Sequence, residues 1–187
     1  MIDNENKGLG RMRISLFEIY QEIIDEVLDF NNIKTYPLIT NHEGYEFEAE
    51  LSDGSYVDVY IYAERTRIGR FEVAYKFKNA ENVVNFGFEI GPNRLNSQLS
   101  KNSYKTYIRI IATVGKALTK FINQNKPDII TLFSDIKHGG KAIDPQKDNI
   151  YFAALEKNPI NGYEMESVYD SVDHKKGIML YSKDKFK

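Results

Sequence analysis

The stretch Tyr104–Phe133 constrains the fold more than any other, because a one-sided helical pattern runs straight into an unbroken apolar strand. Apolar residues at 104, 107, 108, 111, 114, 118, 121 and 122 recur at three-and-four spacing, which lines them along one side of a helix. Lys126-Pro127-Asp128 stops that helix, since proline cannot continue it, and Ile129-Ile130-Thr131-Leu132-Phe133 follows. A strand apolar at nearly every position needs cover on both faces. The segment 83–133 therefore reads as a strand-helix-strand crossover in a mixed sheet.

Upstream of it the period changes. Phe47, Ala49 and Leu51 alternate with Glu46, Glu48 and Glu50, and after Ser52-Asp53-Gly54-Ser55 the alternation resumes as Val57, Val59 and Ile61. An Asp-Gly pair between two such runs is a hairpin signal. A third strand is expected through Phe71, Val73, Tyr75 and Phe77, and a fourth through Val84, Phe86, Phe88 and Ile90, giving four sequential antiparallel strands. Before the hairpin, Ile14, Phe17, Ile19, Tyr20, Ile23, Ile24, Val27, Leu28 and Phe30 form the apolar set of an expected amphipathic helix over 13–30, and residues 33–44, with Pro37, form a connector. After Gly139-Gly140 a short helix is expected over 149–157, capped by Asp148, and two strands at about 163–169 and 177–182 flank Asp170-Ser171-Val172-Asp173-His174. The reading is α+β: a single-domain mixed, mostly antiparallel sheet flanked by helices over 13–187, preceded by a flexible N-terminal arm at 1–12.

A chain of 187 residues buries a core without help from metals or disulfides. With no cysteine it has no thiol nucleophile, disulfide or thiolate metal ligand. The polar start Met1–Asn6 lacks the apolar core of a signal peptide, and no window approaches the roughly 18 apolar residues a membrane helix needs. A net charge of −2 creates no global field for nucleic acid. Arg65, Arg67 and Arg70, and Lys137, His138, Lys141 and Lys147, are local basic groups, but the nearest tyrosine row shares its face with carboxylates that repel phosphate. That argues against nucleic acid as a partner.

His42, His138 and His174 are dispersed among expected loops, and Asp170-x-x-Asp173-His174 reads first as a polar turn rather than a metal site. No Gly-x-Ser-x-Gly, His-Glu-x-x-His or Walker loop occurs. Lys105, Arg109, Lys116 and Lys120 give the central helix a basic stripe, which can be balanced by the acidic side of helix 13–30. The most distinctive candidate surface is the outward side of the hairpin, where Glu46, Glu48, Tyr56, Asp58, Tyr60 and Tyr62 stand together; tyrosines are favoured interface anchors, so a protein partner is the expectation.

The order helix, four antiparallel strands, long helix, apolar strand, short helix, two strands resembles the GNAT acyltransferase superfamily over about 45–182. That resemblance implies a fourth and fifth strand that splay apart, with acyl-coenzyme A in the cleft and its pyrophosphate on the backbone at the start of the intervening helix. The matching positions are Arg94, Ser103 and Lys105 for the cofactor, and Asn149 and Tyr151 for chemistry near the thioester, with acetyl-coenzyme A as cofactor. The family's glycine-rich phosphate turn is not matched: after Gly91, the run Arg94–Ser103 contains no glycine. Phe121–Phe133, Asn149–Leu155 and Gly162-Tyr163 are also similar to small uncharacterised bacteriophage proteins, a resemblance that implies a place in the host cytoplasm or the virion. The expectation is a non-catalytic, cofactor-free interaction protein on a GNAT-like scaffold, a virion component or a modulator of a host or defence protein. The alternative is an acyl-coenzyme A-dependent N-acyltransferase with a divergent phosphate loop.

Overall fold

The computed structural model describes residues 29–186, apart from 43, 52, 91–103, 134–136, 139–140 and 143–145; the side chains of 90, 104, 107, 137–138, 141–142 and 146–151 are also outside the description. The expected arm 1–12, nearly all of helix 13–30 and the loop 91–103 thus lie outside the described residues. Seven strands form one mixed sheet: β1 (Ile39–Thr40), β2 (Gly44–Glu50), β3 (Tyr56–Arg65), β4 (Val83–Ile90), β5 (Ile129–Leu132), β8 (Tyr163–Asp170) and β9 (Lys175–Ser182). Their spatial order is β1-β2-β3-β4-β5-β9-β8, and two short strands, β6 (Lys137–His138) and β7 (Lys141–Ala142), pair separately within the 134–147 loop. Helix α1 (Tyr104–Asn125) is the crossover between β4 and β5, the one parallel pair; the other neighbours are antiparallel. Helix α2 (Gln146–Lys157) begins three residues before the sequence expectation.

The hairpin forms as its alternation dictates. Gly54 takes φ +79, a conformation costly for other residues, the Asp53 carboxylate accepts the Ser55 N–H at 2.9 Å, and Leu51 N–H reaches Ser55 C=O at 2.7 Å. Phe47, Ala49, Val57, Val59 and Ile61 then face inward, onto α1. Ile110, Val114, Ala117, Leu118 and Ile122 meet them, with Phe86, Ile130 and Leu180 from the central strands. Helix α1 is buried on a second side as well: Ile108 and Ile111 pack against Phe30, Ile33, Phe88 and the Ala153–Ala154 pair of α2. Lys126 closes the helix at φ +44, its N–H on Ile122 C=O at 2.8 Å, and Pro127 is buried behind it.

One expected strand is absent. Residues 71–77 do not form a strand: Ile68–Arg70 and Glu72–Tyr75 are 3-10 turns, Phe71 between them is extended but makes only a single antiparallel bridge to Asp170, and β3 pairs directly with β4 from Val59↔Ile90 to Arg65↔Val84. Phe71 and Phe77 are six residues apart, a separation that fits a period of two or of three. Bonds from Ala74 N–H to Phe71 C=O and from Phe77 N–H to Ala74 C=O show that three prevails. Both phenylalanines are buried while Tyr75 is 74% exposed, so the segment packs by its turns, not by a strand face. The sheet therefore opens with three sequential antiparallel strands plus the two-residue β1, not four long ones.

Candidate functional site

The side of the sheet away from α1 divides into two halves. Over β4, β5, β9 and β8 it is covered: Phe71 and Phe77 from the 3-10 segment pack on Val83, Ile129, Val168 and Met179, with Phe133, Tyr181 and Phe186 around them. Phe133 stacks on Phe71 at 6.0 Å and lies over Gly177, where a Cβ would come within 2.5 Å of its ring. Glycine is required there by this close approach.

Ion pairs fasten the cover. The Arg70 guanidinium reaches Asp170 and Asp173, both at 2.6 Å, and Ser171 N–H and hydroxyl both donate to Arg70 C=O. Asp170 is buried, which pushes its carboxyl up, but the bond from Arg70 and the N–H groups of Asp173 and Val172 outweigh burial and hold it below the ordinary carboxylate range. Lys76 pairs with Glu166 at 2.5 Å. The Tyr181 hydroxyl donates to Glu164 at 2.7 Å, and that bond, with burial and the charges of Glu164 and Glu166, leaves the phenol pushed up to about 12. Asp128 collects the N–H groups of Glu81 and Asn82 and the Lys185 ammonium, and is likewise held low against its burial. Arg70, one of the local basic groups of the sequence, is thus a structural clamp, and the Asp170–His174 stretch is a turn whose two aspartates grip it.

The half over β2 and β3 has a different character. Tyr56 is 56% exposed and Tyr60 42%, and Glu48 and Asp58 are exposed. Register sets Glu46 opposite Tyr60, Glu48 opposite Asp58 and Glu50 opposite Tyr56; on the next strand Glu89 lies opposite Tyr60, and Gly87 opposite Tyr62. Four of the six candidate residues, Glu48, Tyr56, Asp58 and Tyr60, therefore form a contiguous exposed patch, with the half-buried Glu46 at its edge. The sixth, Tyr62, is half-buried, because its ring lies across Gly87, whose added Cβ would fall 2.4 Å from the phenol oxygen. The sequence carried no signal for that, since it depends on a cross-strand pairing. Asn41 donates to Glu46 at 3.2 Å.

The basic stripe of α1 is partly accounted for. Arg109 donates to Lys34 C=O at 2.8 Å and lies 3.8 Å from the Tyr36 ring centre, Lys116 reaches the Thr35 hydroxyl, and Lys120 the Thr40 hydroxyl. The connector 34–40 holds these three cations, and Lys105 is exposed in the first turn. A shallow cavity of about 300 Å³ lies beside the Asn41–Gly44 turn, floored by Ile61, Ala63, Phe86 and Phe121.

Of the residues matched to an acyltransferase, Arg94 and Ser103 lie outside the described residues, and Asn149 and Tyr151 fall in the first half of α2 with their side chains outside the description. β4 pairs with β5 over Val83↔Ile129, Val84↔Ile130 and Asn85↔Thr131; β5 ends at Leu132, and β4 continues to Ile90 beside β3. Phe88, on that continuation of β4, packs between α1 and α2. His42 and His174 are exposed, far apart in the chain, and among the described residues no three acidic or histidine side chains are placed to hold a metal ion. None of the described helices is long and apolar enough to cross a membrane. No family model, curated protein or solved structure matches the chain.

Proposed function

We infer that this protein is a protein-interaction module whose working surface is the Tyr56/Tyr60 patch on the open half of its sheet. The observation that carries this reading is the pair of half-exposed tyrosines on β3, a strand whose opposite side is packed into the core. A rigid support under rotamer-poor aromatic side chains is what an interface anchor needs, because little conformational entropy remains to be lost on docking. The resemblance to bacteriophage proteins extends the reading to a virion component or a modulator of a host or defence protein, acting without a cofactor on a GNAT-like scaffold.

Affinity capture from host extract with the wild-type chain and with the Tyr56→Ala/Tyr60→Ala double variant tests it. A protein retained by the first and lost by the second supports the reading; identical retained sets overturn it.

A second reading, an acyl-coenzyme A-dependent N-acyltransferase, is supported by the run of β4 past the end of its pairing with β5, which leaves its last residues without β5 beside them. Arg94, Ser103 and Lys105 would hold the cofactor, and Asn149 and Tyr151 would act near the thioester. Calorimetric titration with acetyl-coenzyme A separates the two. Binding that Lys105→Ala or Arg94→Ala abolishes would establish the enzyme, and absence of binding heat with no catalysed acyl transfer would remove it.

A further inference from the structure

We propose that the occupant of the open half-face is a cationic, arginine-bearing segment of a partner protein. This deepens the docking reading above and rests on it.

The argument comes from comparing the two halves of one surface. On the covered half, the carboxylates that face the packing segment or flank it each meet a donor: Asp170 and Asp173 meet Arg70, Glu166 meets Lys76, Asp128 meets Lys185, and Glu164 meets Tyr181 and Lys183. The cover itself combines apolar side chains, Phe71 and Phe77, with cations, Arg70 and Lys76. On the open half, Glu46, Glu48, Glu50, Asp58, Glu64 and Glu89 share one side of three adjacent strands, and no ion pair among the described residues engages any of them.

Two of these carboxylates are placed against their own interest. The Leu51 to Ser55 bond fixes the alternation of the β2–β3 ladder, so Glu48↔Asp58 falls on a non-hydrogen-bonded pair, where facing side chains come closest. Like charges directly opposite each other destabilise a sheet. The same arrangement favours a guanidinium, whose fork can bridge two carboxylates while its plane lies on the neighbouring tyrosine rings. Tyr60 stands between Glu46 on one side and Glu89 on the other, and Tyr56 faces Glu50, so aromatic and acidic groups alternate across the patch. Such a surface repels nucleic acid and acidic peptides and attracts a segment carrying arginines.

The probe is a fluorescein-labelled octapeptide alternating arginine with serine, with its glutamate–serine counterpart as reference, read by anisotropy at low and at physiological salt. The arginine peptide is expected to bind and the glutamate peptide not to bind. Glu48→Gln/Asp58→Asn should weaken binding about tenfold or more, as loss of charge-assisted pairs does. Tyr60→Ala, which keeps every charge, should weaken it about threefold to tenfold through the lost cation–π contact. Glu72→Gln/Glu156→Gln removes the same two charges from exposed positions away from the patch and should leave affinity within about twofold. If this control weakens binding as much as Glu48→Gln/Asp58→Asn, or if the arginine peptide does not bind at low salt, the proposal is wrong. Should a captured partner depend on Tyr56 and Tyr60 yet be indifferent to salt and to Glu48→Gln/Asp58→Asn, the docking reading stands and the cationic partner falls.

Discussion

The two halves of the sheet's outer side are built from the same kind of strand and end in opposite states. Over β9 and β8 the outward residues include Met179, Val168 and Tyr181, and a thirteen-residue excursion between β3 and β4, Ile68–Ala80, folds back to bury them. Over β2 and β3 the outward residues include Glu48, Tyr56, Asp58 and Tyr60, which stand in the open, and the half-buried Glu46. Burial there would have to desolvate several carboxylates at once, a cost that only matched cations offset. Where such cations are present, as with Arg70 and Lys76, the acidic groups are covered; where none among the described residues meets them, the surface stays open. The internal cover therefore doubles as a template for what an external one must contain.

Truncation on the covered half should break the comparison most strongly. Phe71→Ala is expected to cost about 3–5 kcal/mol in urea unfolding, since the ring is buried and stacked on Phe133. If it costs no more than a surface change, the excursion is not a structural cover. Next comes the clamp: Asp170→Asn should cost about 1–3 kcal/mol by leaving Arg70 with one carboxylate. The pH dependence has a definite sign. Asp170 and Asp128 sit below their unfolded value when folded, so their stabilisation is complete above about pH 4 and drains away as pH falls through the folded values. Asp170→Asn should accordingly flatten the acid limb of a plot of unfolding midpoint against pH.

On the open half the signs change. Glu48→Gln should raise stability by about 0.2–1 kcal/mol, because it removes a like-charge pair. A measurable loss instead would mean that the carboxylate has a stabilising role. Tyr60→Ala, the smallest expected effect, should stay within about 0.5 kcal/mol while altering binding, as befits a half-exposed side chain. Stability lost at Tyr60 as at Phe71 would erase the distinction between the halves.

Local pattern made much of this legible. The period of two in 46–51 and 57–61 yields the hairpin and names its outward patch, and the period of 3.6 in 104–122 yields the crossover helix. Where a spacing satisfied two periods at once, as Phe71 and Phe77 do, the pattern alone chose a strand and the molecule chose turns. Ile110 and Ala117 escaped the single-stripe reading because α1 is buried on two sides, a fact of its neighbours rather than of its own sequence.

By itself, the sequence determined the elements whose side-chain alternation has one solution, together with the acidic and aromatic character of the open patch. Only the tertiary structure decided that Tyr62 is turned down over Gly87, that Arg70 is spent on Asp170 and Asp173, and that residues 68–80 shelter one half of the sheet and leave the other bare. Those outcomes depend on cross-strand register and on contacts between residues about a hundred positions apart, and a periodicity, being local, contains neither.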